Sequence, residues 1–192
     1  VKTMELRESN LSFTFEDHSW EDLIQYDSTT DYRNIEHAIS GTKAVDFIGI
    51  FKRDTLSFIE VKNFRGHRIE NKARVKDGEL ADELAKKVRD TMSGIIGGAR
   101  NSTHMQSTWK KYVRMLLEKE IHIVCWVEQD RHANTSRVDL KRNKSSSSAL
   151  NQVIKSKLSW LTTKVMVANT ANNPYKDTLQ VSFTNPDNPD AV

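Results

Sequence analysis

The chain has 192 residues, 29% of them charged and 37% hydrophobic, with a net charge of +3 at neutral pH. That length supports one well-buried core, so a single domain over residues 1–192 is expected, and the composition is that of an ordinary soluble globular protein. The small net charge does not by itself demand a nucleic-acid partner, so the placement of charge has to decide. No apolar run is long enough to span a bilayer, and the first residues are too polar for a secretory signal. The lone Cys125 excludes an internal disulfide and fits a reducing compartment, so a cytoplasmic protein with no membrane partner is expected.

Near the N-terminus, "LSFTF" (11–15) alternates like a strand and "LIQY" (23–26) reads as a second short one. A helix over 31–39 would carry Tyr32, Ile35 and Ile39 on one side, with Gly41 as its stop. "AVDFIGIF" (44–51) and "LSFIEVKNF" (56–64) flank the turn-like "KRDT" and predict a hairpin, apolar on both faces and therefore covered on both sides. Leu80, Leu84, Val88, Met92 and Ile95 form the stripe of a helix over 79–96, capped by Asp77 and ended by Gly97-Gly98. A second helix over 109–119 holds Trp109, Tyr112, Val113, Leu116 and Leu117, and "IHIVCWV" (121–127) is an apolar strand. Residues 128–146 read as a long polar loop, with a short strand over 137–140. "SSSS" would cap a third long helix bearing Leu150, Val153, Ile154, Leu158 and Leu161. Strands over 164–168 and 178–183 close the chain around an Asn/Pro-rich turn. The order is α/β, a mixed β-sheet flanked by helices on both faces.

The charges that stand out are Asp46, Glu60 and Lys62, set in two adjacent strands otherwise fit for a core. Glu60 and Lys62 are two residues apart and so share a face, roughly 7 Å from each other. Burying either costs several kcal/mol unless something compensates it. Facing carboxylates make a site for a hard divalent cation, which offsets their repulsion. Magnesium takes one or two carboxylates and keeps several waters. A lysine beside it can orient or deprotonate water, or stabilise charge on an attacked phosphate. For Asp46 to meet the other two, the turn must be odd in length, such as residues 52–54, or one strand must be bulged. The plainer alternative is a structural ion cluster, an arrangement that adds little stability.

"VDFIGIFKRDTLSFIEVK" resembles the active-site hairpin of the restriction-endonuclease-like, or PD-(D/E)XK, nuclease superfamily. The resemblance covers about residues 31–127 and implies a restriction-endonuclease-like core and a magnesium-dependent endonuclease that hydrolyses DNA through a metal-activated water. It implies Asp46, Glu60 and the Val61 carbonyl as metal ligands, Lys62 as the catalytic lysine, and manganese as a substitute for magnesium. Val45 stands before the Asp where the family motif has proline. Only "SGTK" separates the first helix from the Asp strand, so the strand the family places there would come from 11–15 or 23–26. Many members carry an acid on the first helix, for which Glu36 is the candidate, and some point a residue from the next helix into the site, for which it is Lys87. The alternatives are an inactive nuclease fold kept for binding nucleic acid, or an RNA nuclease with the same site.

Beyond the second strand the chain turns basic, and Arg65, Arg68, Lys72 and Arg74 are the candidate contacts to a phosphate backbone, with double-stranded DNA the expected partner. A solvated loop is the competing reading. Arg137, Lys141, Arg142 and Lys144 form a second basic group with no sequence tie to the site. His67 is the one histidine near enough in sequence to test as an accessory. The others show no zinc spacing. Oligomeric state is left open.

Overall fold

The structure, a computed structural model, describes residues 2–65, 78–129 and 137–184, with side chains in the last segment described from residue 146 onward. In chain order its elements are β1 (Thr3–Glu8), β2 (Leu11–Glu16), β3 (Trp20–Gln25), a 3₁₀ turn (Tyr26–Ser28) and α1 (Thr30–Ala38). Then come β4 (Phe47–Phe51), β5 (Thr55–Asn63), α2 (Glu79–Asn101), α3 (Gln106–Glu118) and β6 (Glu120–Glu128). The last are α4 (Arg137–Leu158), β7 (Val165–Ala168) and β8 (Leu179–Phe183). The described residues form a mixed α/β fold with two sheets. One is five-stranded in the order β3-β4-β5-β6-β7, antiparallel from β3 to β5 and parallel from β5 to β7. The other is an antiparallel sheet in the order β1-β2-β8.

Alternation along the central strands sorts the core into two layers. Ile48, Ile50, Leu56, Phe58, Ile121, Ile123 and Cys125 face the helices, where they meet Leu84, Val88, Trp109, Tyr112 and Ile154. Phe47, Ile59, Val61, Val124 and Trp126 point the other way. What covers that second face is not helix, as expected, but the small sheet. Leu11, Phe13 and Phe15 of β2 and Leu179 of β8 press onto it, and the Phe13 ring meets Phe47 and Trp126 edge-on at 5.2 and 5.4 Å. The correction has a physical source. β1 is largely exposed, and "TMELRE" shows too little apolar alternation to predict the strand that completes this layer. β7 and β8 accordingly lie in different sheets and form no hairpin.

Two helix boundaries also differ from expectation. α2 runs through Gly97-Gly98 to Asn101, and Gly98 serves packing and not termination. A Cβ on Gly98 would lie 2.5 Å from Trp109 Cδ1, and one on Gly94 would collide with the Tyr26 hydroxyl. α4 begins at Arg137, so residues 137–140 are its first turn and "SSSS" lies inside it instead of capping it. The buried Leu150, Ile154 and Leu158 hold a helix whose serines are only middling helix formers. Asp77, expected to cap α2, lies outside the described residues; Gly78, at φ 81°, occupies the N-cap position.

Candidate active site

The β4–β5 hairpin decides where the charges go. Phe51 pairs with Thr55 and Phe47 with Ile59, leaving residues 52–54 as a three-residue turn with Lys52 and Arg53 at positive φ. One step further back, this register sets Asp46 against Glu60 on the helix-facing side of the sheet. Asp46 is fixed there from three directions. Its carbonyl accepts from Tyr26 N at 2.9 Å. Its Oδ2 accepts from Val61 N at 2.6 Å. The preceding Val45 N–H donates to Thr91 Oγ1 of α2 at 3.1 Å.

Asp46, Glu60 and Lys62 therefore converge under α2. Lys62 Nζ lies 3.0 Å from Glu60 Oε1 and donates to Glu83 Oε1 of α2 at 3.1 Å. Lys87, one turn beyond Glu83, places its Nζ 2.7 Å from the same Glu60 oxygen and 3.7 Å from Asp46 Oδ1. Glu60 is 1% exposed; both ammonium groups sit on its Oε1, while its Oε2 has no hydrogen-bond partner among the described residues. Burial alone would lower the Lys62 pKa, but Glu60 and Glu83 outweigh it and the net direction is upward. Burial would likewise raise the Glu83 carboxyl, and Lys62 reverses that, leaving it below the ordinary range.

Two further acids arrive from the N-terminal segment. The Tyr26–Asp46 backbone bond brings Asp27 alongside. The β1–β2 turn at Ser9-Asn10 is tied to the end of β5 by Asn63 Nδ2 donating to the Ser9 carbonyl at 2.9 Å, which delivers Glu8. Carboxylate oxygens of Glu8, Asp27 and Asp46 all lie within 4.8 Å of one another. Burial first, then the charge of Glu8, raises the Asp27 pKa. Neither acid carried a sequence signal, since both sit in polar segments that only the tertiary fold brings to β5. Glu83 did carry one: with Lys87 it makes an E-x-x-x-K pair bordering the Leu80, Leu84 and Val88 stripe.

Of the other sequence candidates, Glu36 is exposed on α1, where it accepts from the Tyr32 hydroxyl at 3.2 Å, and is not part of this group. Helical position alone could not say which face of so short a helix meets α2. Arg65 is half-buried with its guanidinium 4.0 Å from the Phe183 ring centroid. His67, Arg68, Lys72 and Arg74 lie outside the described residues, as do the side chains of Arg137, Lys141, Arg142 and Lys144.

The donor set suits a hard cation. It is all oxygen, Glu60 Oε2 has no hydrogen-bond partner among the described residues, and the Glu8, Asp27 and Asp46 carboxylates lie beside a Glu60 and Glu83 pair that, among the described residues, two ammonium groups, Lys62 and Lys87, serve. Burial, with Glu60 second, pushes the Asp46 carboxyl up to about 7, against the pull of Lys87 and the Val61 N–H. A folded value above the ordinary 3.8 means that protonating Asp46 favours the folded state. The stability so gained is complete below 3.8 and is lost as the pH rises through about 7. In buffer with chelator, the melting temperature of the wild type should fall across this window more steeply than that of Asp46→Asn. Parallel curves for the two proteins would show that Asp46 is not the titrating group.

No family model, no curated protein and no solved structure matches this chain. Among the described residues, no helix is long and apolar enough to cross a membrane.

Proposed function

We propose that the protein is a divalent-cation-dependent nuclease with a restriction-endonuclease-like core, hydrolysing phosphodiester bonds of double-stranded DNA. The observation that carries this reading is the convergence of Asp46, Glu60 and Lys62 on one spot between β5 and α2, produced by the β4–β5 register. The strand order supports it: an antiparallel hairpin bearing the acids continues into parallel strands through helical crossovers.

Asp46, Glu60 and the Val61 carbonyl would hold magnesium, with Asp27 as the acid beside the first helix that Glu36 is not, and Glu8 as a further oxygen. Manganese would substitute for it. Bound there, the ion supplies Lewis-acid polarisation of water and of a phosphoryl oxygen. Lys62 has a narrower part than its residue type allows. Its raised pKa keeps it an ammonium at neutral pH, so it acts as fixed positive charge near the attacked phosphate and not as a base. Glu83 holds that ammonium in place through its 3.1 Å hydrogen bond.

The experiment is nicking of supercoiled plasmid, with a matched RNA substrate, in magnesium, manganese or chelator. Cleavage of DNA in magnesium and manganese, and none in chelator, is the expected result. Cleavage of RNA alone would move the substrate and keep the chemistry. A folded protein inert on both substrates in both metals would return Asp46, Glu60, Lys62 and Lys87 to an ion cluster, the reading their charge pairing also permits.

A further inference from the structure

Among the described residues Glu60 is served by two ammonium groups, and they are not equivalent. Lys62 joins Glu60 to Glu83. Of the two, Lys87 reaches both members of the Asp46–Glu60 pair, at 3.7 and 2.7 Å, with its side chain 15% exposed. It comes from α2, whose Asp90 and Thr91 accept the backbone N–H groups of Lys43 and Val45 at 3.1 Å each. The stem of Lys87 thus starts from a helix fixed to the very segment that presents Asp46.

A magnesium ion held by these two carboxylates would sit at bonding distance from their oxygens, about 2.1 Å. An ammonium bridging the same oxygens stands inside that coordination sphere, where two positive charges a few ångströms apart repel strongly in a partly buried site. The two cannot share the position. Lysine's flexible four-carbon stem lets the ammonium leave by rotamer change alone, without movement of α2.

We propose that Lys87 is an internal counter-ion of the Asp46–Glu60 pair that exchanges with the divalent cation, so that metal loading and outward release of the Lys87 ammonium are one event. The inference rests on reading the pair as a cation site. It makes Lys87 a positioning residue that sets apparent metal affinity, and it delivers a free ammonium to the mouth of the site only when the site is loaded. A purely structural ion pair would show no such exchange.

Two measurements test it. Calorimetric titration with manganese should give Lys87→Met about tenfold tighter binding than wild type, since the variant lacks the competing charge. In the wild type, which removes any question of the variant's folding, acetylation at Lys87 read by mass spectrometry should speed up several-fold on saturation with manganese, while the exposed Lys119 keeps its rate. Equal or weaker binding by folded Lys87→Met, or a Lys87 acetylation rate indifferent to bound manganese, overturns the counter-ion exchange and leaves the cation site standing. Absence of manganese binding in both proteins removes the cation site, and this inference with it.

Discussion

Lys62→Met should keep the magnesium response of the melting temperature and lose DNA cleavage by a factor on the order of 10²–10³, the usual consequence of deleting one fixed charge that stabilises a transition state. Glu60→Ala should do the reverse in part: it abolishes both cleavage and the magnesium-induced rise in melting temperature, because the rise comes from a ligand that binds only the native state. Without metal, Glu60→Ala should cost little stability or even add some. It relieves repulsion with Asp46, and Lys62 retains Glu83 as partner. A structural ion cluster predicts the opposite pattern, since Glu60→Ala leaves the Lys87 ammonium, among the described residues, with only Asp46, at 3.7 Å, and stranding a buried charge costs roughly 3–5 kcal/mol. Melting curves with and without magnesium, run beside plasmid cleavage, separate the two. A wild type blind to magnesium and manganese, with Glu60→Ala strongly destabilised, would mean the pair is scaffold.

Adjacent glycines in α2 should respond to the same substitution with opposite signs. Gly98→Ala places a methyl 2.5 Å from Trp109 Cδ1 and 2.8 Å from its Nε1. The ring cannot retreat: it is fully buried, its Nε1 donates to Asp31 Oδ2 at 2.7 Å, and it packs edge-on against Tyr26 and Tyr112. Overpacking against so fixed a neighbour costs about 3 kcal/mol. A Cβ on Gly97 meets nothing within 4 Å, so Gly97→Ala recovers the helix propensity that glycine forfeits and should stabilise by up to about 1 kcal/mol. Urea denaturation of the two variants reads the difference. Equal stabilities would mean that α2 and α3 do not pack in this way.

The same pair of glycines shows what the sequence could and could not disclose. Gly-Gly after an apolar stripe has two uses, a stop or a close approach, and only Trp109, eleven positions on from Gly98, distinguishes them. Asp46, Glu60 and Lys62 were legible because a charge within an apolar strand is conspicuous wherever it falls, and the parity argument for an odd turn needed only the period of a strand. Lys87 was a weaker candidate, since the border of an apolar helical stripe is also where lysine stems lie over a core. Glu8 and Asp27 were invisible for the converse reason: an acid in "LRESN" or "YDSTT" matches its polar neighbours, and its meeting with Asp46 depends on the Asn63–Ser9 and Tyr26–Asp46 hydrogen bonds. The three-stranded layer was hidden likewise, because β1 and β8 join through β2 across nearly the whole chain.

Cys125, the only cysteine in the chain, stands cross-strand from Glu60 in the parallel β5–β6 ladder. It is fully buried, and burial, followed by the charge of Glu60, pushes its thiol up to about 12. A thiol reagent therefore finds neither access nor thiolate while β5 and β6 stay joined under the helices. Each labelling event marks a moment at which that part of the sheet has opened. The molecule carries its own clock, set one strand away from the carboxylate on which the proposed chemistry depends.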